Sequence, residues 1–213
     1  MSAQIIISYL LLGTATFLSL FRYKKVAGSP LVAIVYYLVI MFAVEMTAWF
    51  LIKYHYYNVW LYVLSSFFEV IVFFYVFYRY ITNARVRLFS LLGIGLFVLA
   101  FFIEYLGFFK GWQSWPSFSL SLGYLVIVLM ILYFFVEMFR SDKILFLHKY
   151  LVFWVALGVL FYLTISLPLN ISLKLFIADG KLPGVYFLQF LANFVMYIHF
   201  IIGFIWNNKP YNL

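Results

Sequence analysis

The chain has 213 residues, of which 68% are hydrophobic, 25% aromatic and only 9% charged. Soluble domains carry roughly a quarter charged residues, so a water-facing globule is excluded. With no cysteine, disulfides, thiolate metal sites and thiol catalysis are excluded as well. The formal charge of +8 sits at the ends of apolar runs and not in a patch. It therefore points to membrane orientation and anionic lipid head groups rather than to nucleic acid.

Apolar runs of 18 or more residues recur, each long enough to cross a ~30 Å hydrocarbon layer. The short alternating segments of a transmembrane barrel do not occur. The expected fold is all-α, a polytopic bundle of seven transmembrane helices forming one integral membrane domain over residues 1–213. The spans are expected at about 4–21, 30–52, 59–80, 88–109, 115–139, 150–169 and 185–206. No Lys or Arg precedes the first run, so it lacks the basic start of a cleaved signal peptide and is expected to remain. No internal repeat is evident, which weakens an inverted-repeat transporter reading.

Orientation follows from the basic residues. Arg22, Lys24, Lys25, Arg79, Arg85, Arg87, Arg140, Lys143, Lys149 and Lys209 fall on one side; Lys53, Lys110, Lys174 and Lys181 fall on the other. The positive-inside rule puts the first group in the cytoplasm, with the N-terminus outside and the C-terminus cytoplasmic. The sixth link is the long one. Leu169, Leu173, Phe176 and Ile177 recur at helical spacing before turn signals at Asp179-Gly180 and Pro183-Gly184. An interfacial helix over 169–178 is expected there.

Polar side chains inside the spans carry the functional reading. A charge at the bilayer centre costs about 3 kcal/mol even on the lenient insertion scale. At a rise of ~1.5 Å per residue, Glu45 lies roughly 11 Å, Glu69 roughly 15 Å and Asn193 roughly 12 Å below the outer surface. Glu45 and Glu69, on consecutive spans, are expected to face each other. Tyr62, Ser65 and Glu69 share one helical face, with Ser66 beside them. Gln189, Asn193, Met196, Phe200 and Gly203 share a face of span seven; Trp154, Gly158, Tyr162 and Ser166 form a stripe on span six. The candidate ligand- or ion-binding residues are thus Glu69, Glu45, Ser65, Ser66, Tyr62, Asn193, Gln189 and Tyr162, lining an outward-facing polar pocket.

Other polar residues read as structural. His199 lacks a second ligand at metal spacing, so no metal is expected. Glu104 and Glu137 lie near helix ends, where Glu137 can pair with Arg140 one turn on. Tyr54, Tyr56, Tyr57, Trp60, Trp112, Trp115 and Trp206 form interfacial belts. There is no HExxH, phosphate loop or nucleophile elbow, and span seven holds no Lys for a retinal Schiff base. Catalytic residues and cofactors are therefore not expected.

Three stretches carry a resemblance: Trp60-Leu61-Tyr62 leading to Glu69; Phe153-Trp154 with Gly158 and Tyr162; and Tyr197-Ile198-His199 ending at Trp206. In these, the chain resembles a loose family of short, uncharacterised seven-span bacterial membrane proteins. Some of these are encoded near sensor kinases, which implies a multi-pass protein of the bacterial cytoplasmic membrane with a cytoplasmic signalling partner. The expected function is a non-enzymatic sensor or receptor-like module. The alternatives are a small proton- or cation-coupled transporter and a structural subunit of a membrane complex.

Overall fold

The computed structural model describes residues 3–105, 115–178 and 182–207. The expected end of the fourth span at 109, the belt residue Trp112, the turn at Asp179-Gly180 and the orientation-setting Lys110, Lys181 and Lys209 lie outside the described residues. Eight α-helices follow in order: α1 (Ala3–Phe21), α2 (Tyr23–Val26), α3 (Val32–Lys53), α4 (Val59–Tyr80), α5 (Ala84–Ile103), α6 (Ser117–Phe139), α7 (Leu151–Ala178) and α8 (Leu182–Trp206). A 3-10 segment, Asp142–Lys149, joins α6 to α7. All but α2 are long and apolar enough to cross a membrane, making seven such helices among the described residues.

Two boundaries differ from expectation, each for a local reason. Helix α5 begins at Ala84 and not at 88, because the Asn83 side chain caps it by accepting from the Arg85 N–H at 2.9 Å and the Val86 N–H at 3.4 Å. The same turn is pinned from α6. Glu137 accepts from the Thr82 N–H at 3.0 Å, the Thr82 hydroxyl at 2.9 Å and the Asn83 N–H at 3.1 Å. Its carboxylate thus holds a neighbouring link, a role that the expected pairing with Arg140 did not suggest.

The second difference lies in the sixth link. Residues 169–178, expected as a separate interfacial helix, are the last turns of α7, which runs on through Pro168. Its 28 residues span roughly 42 Å, more than the hydrocarbon thickness, so α7 must tilt or project into the head-group layer. Asn170 is part of this helix. Its side chain accepts from the Trp115 indole at 2.7 Å, tying α7 to the start of α6.

The helices pack as a closed ring: α1 on α3, α3 on α4, α4 on α6, α6 on α7, α7 on α8, and α8 back on α1. Helix α5 stands outside the ring against α6 and α4, with Leu88, Phe89, Leu92, Leu96 and Leu99 exposed on its outer side. Rings hold it in place: Phe67 of α4 lies 5.5 Å from Phe97 and 4.6 Å from Phe101 between centroids. Hydroxyls of the spans turn back on their own helices. Thr14, Thr47 and Thr164 each donate to the carbonyl four residues earlier at 2.7 to 2.8 Å. That is the internal satisfaction lipid demands.

Small residues set the closest helix approaches. A Cβ at Gly158 would lie 3.0 Å from the Met196 carbonyl oxygen, and one at Gly203 would lie 2.7 Å from the Trp154 Cβ. A Cβ at Gly95, on α5, would meet nothing within 4 Å. Gly203→Ala is therefore expected to force α7 and α8 apart and cost about 1–3 kcal/mol, the range for overpacking. Gly95→Ala should leave stability unchanged or slightly raised; thermal denaturation of the two variants in the same detergent checks the contrast.

Candidate functional site

The polar residues of the interior assemble into two layers. The deeper one is centred on Glu69, midway along α4 and only 3% exposed. One carboxylate oxygen accepts from the Tyr37 hydroxyl of α3 at 2.9 Å, the other from the Tyr124 hydroxyl of α6 at 3.3 Å. The Tyr162 hydroxyl of α7 faces the same carboxylate at close range. Tyr124 and Tyr162 meet edge-on, with centroids 6.3 Å apart. Four consecutive members of the ring thus converge on one carboxylate.

Helical geometry explains the convergence. Tyrosine carries its hydroxyl well beyond the backbone on a stiff apolar body, so it crosses a helix interface that serine cannot. Ser65, one turn from Glu69, instead donates to the Tyr62 carbonyl at 3.0 Å. Ser66 sits against the Tyr124 hydroxyl. The hydroxyls that clamp Glu69 come from tyrosines of neighbouring helices and not from the serines beside it on α4.

The shallower layer is a cavity of about 660 Å³ between α1, α3, α4 and α8. Glu45, Tyr62, Gln189 and Asn193 line it, together with Tyr9 and Tyr197. Among the described residues Glu45 accepts one bond, from the Tyr62 hydroxyl at 3.3 Å. A carboxylate has about four lone-pair sites, so most of its acceptor capacity is open to the cavity. Among the described residues no three His, Asp or Glu side chains gather to hold a metal ion. The cavity offers one carboxylate, carboxamides and phenols.

Of the eight candidate residues, Glu45, Tyr62, Gln189 and Asn193 are brought together at the cavity; Glu69 and Tyr162 are brought together beneath it. Glu69 does not line the cavity, so the expected pairing of the two carboxylates across one pocket is replaced by two separate environments. Tyr197 links them: it lies on the cavity wall and within electrostatic range of both Glu45 and Glu69. Tyr37, Tyr124 and Tyr9 were not singled out from the sequence, and Tyr197 entered only through the resemblance and not as a site residue. The available signal was their position, since a tyrosine a turn or more inside a span needs a hydroxyl partner that an interfacial one finds in water.

The other sequence features fall outside both layers. The His199 Nδ1 lies 2.7 Å from the Val195 carbonyl, and its ring rests between Trp154 and Phe161 at 6.1 and 5.8 Å. Glu104 accepts from the Phe118 and Ser119 N–H groups at 3.2 and 2.8 Å, capping α6 at the positive end of its dipole. No protein-family model matches the chain, and no curated protein or solved structure matches it either.

The two acids should respond differently to removal. Glu69→Ala strips an acceptor from the buried Tyr37 and Tyr124 phenols and is expected to cost about 2 kcal/mol or more, taking about 0.6 kcal/mol for each membrane hydrogen bond plus the void left. Glu45→Ala, at the cavity edge, should cost less than about 0.5 kcal/mol. Melting midpoints of the detergent-solubilised variants against the parent measure the difference.

Proposed function

We propose that the protein is a non-enzymatic, receptor-like membrane module that takes a small ligand at the bundle end bearing its N-terminus. The observation that carries this reading is the one-sidedness of the cavity. Its walls come from the first turns of α1 (Gln4 to Leu12), the last turns of α3 (Glu45, Ile52), the start of α4 (Tyr62) and α8 from Tyr186 to Tyr197. All belong to the same half of the bundle. Its floor is Tyr197, and below it lies the closed tyrosine clamp on Glu69. A volume of about 660 Å³ is within the usual range for small-molecule sites.

In this reading the positive-inside bias turns the cavity outward from a bacterial cytoplasmic membrane. The opposite end carries Arg79, Arg85, Arg87, Arg140 and Lys149, which would meet anionic head groups or a cytoplasmic signalling partner. Closure around a ligand would shift α1 and α8 against α3 and α4, and the ring would carry that shift to the basic end. A transporter would need a second route to the same residues from that end.

Because the chain has no cysteine, a single introduced thiol reports access directly. Asn193→Cys in sealed vesicles is expected to react with a membrane-impermeant maleimide added on the N-terminal side and to be protected on the other. Tyr56→Cys and Arg85→Cys mark the two sides as controls. Labelling of Asn193→Cys from both sides would replace the receptor with the transporter, and labelling from neither would remove the ligand site.

A further inference from the structure

The chemistry of the cavity wall names the kind of molecule it takes. Among the described lining residues there is one carboxylate and no Lys, Arg or His. An anionic ligand would face Glu45 with only neutral donors in compensation, and a purely apolar one would leave that carboxylate desolvated with its single bond to Tyr62. A cation satisfies it. Aromatic rings line the same cavity, Tyr9, Tyr62, Tyr197 and Phe190, and such rings attract ammonium groups through the ring quadrupole.

Size separates an organic cation from a bare ion. A metal cation of the hard type gathers six or more oxygen ligands at about 2–2.6 Å; here a single carboxylate borders a space of about 660 Å³, many times the ~30 Å³ share of one water molecule. A second polar anchor is already in place. Tyr197 is only 5% exposed and lines the cavity, and no hydrogen-bond partner for its hydroxyl is found among the described residues. Its ring gives a ligand's body an aromatic wall, and its hydroxyl can bond a polar substituent carried on that body.

We infer that the cavity binds a small organic ammonium with an aromatic or apolar body, its charged end at Glu45 against Tyr9 and Tyr62, its body along Phe190 and Tyr197. The inference rests on the cavity being a ligand site, as argued above. Phenethylamine, phenethyl alcohol and phenylacetate share one body and differ in charge, so they test the assignment. Binding of each to the full chain in zwitterionic-lipid nanodiscs is measured by titration calorimetry, with empty discs subtracted.

Phenethylamine is expected to bind at least about tenfold more tightly than the other two. Glu45→Gln should abolish that preference while the weak binding of the alcohol persists, and Tyr62→Phe, which keeps the ring, should retain the preference. Melting midpoints near the parent's show that both variants are folded. Equal binding of amine and alcohol, or an amine preference surviving Glu45→Gln, overturns the ammonium assignment and leaves the cavity a ligand site of other chemistry. Absence of binding by all three probes overturns the assignment too, and the Asn193→Cys labelling then decides separately whether the receptor reading stands.

Discussion

A carboxylate midway through a membrane span must find its donors inside the protein, because lipid supplies none. Glu69 meets this constraint with phenols from α3, α6 and α7, both of its oxygens being occupied by hydroxyls at 2.9 and 3.3 Å. No single neighbour could satisfy it, so the three helices have to stand around α4 at fixed distances. The ring of six helices is the arrangement that permits this. Much of the rest follows: α5, which contributes nothing to the clamp, is left outside, held by rings and by the two capping carboxylates, Glu104 and Glu137.

The clamp also explains why the cavity ends where it does. Above Glu69, α1 and α8 complete the ring, and space remains between Tyr9, Glu45 and Asn193. Below it, Tyr37, Phe73 and Phe77 are fully buried and fill the axis. One acid is consumed by architecture, and the other keeps its lone pairs. Tyr197 lies on the cavity wall and within electrostatic range of both acids.

Much of the fold was legible in the sequence, because hydropathy and length decide spans almost alone. One edge moved where side chains and not hydropathy set it, since Asn83 and Glu137 start α5 early; the other moved because α7, which packs along α8, continues through Pro168. Half of the candidate site was legible for the same reason that any intramembrane acid is conspicuous. Helical phase joined Ser65 to Glu69 on one face, yet their side chains do not meet, since a serine hydroxyl one turn away is better satisfied by its own backbone. The tyrosines were hidden by their abundance. With 19 in the chain, composition gives no reason to separate those at the surface from those whose hydroxyl must be answered within the bundle.

The central claim is that the Glu69 carboxylate is bonded to tyrosines of other helices and holds the ring by those bonds. A double-mutant cycle of Glu69→Ala and Tyr37→Phe, read by reversible unfolding in mixed micelles, addresses that bond directly. A coupling free energy of about 0.6–1.7 kcal/mol is predicted, the span found for hydrogen bonds between membrane helices. Strict additivity of the two substitutions, within about 0.3 kcal/mol, would contradict it.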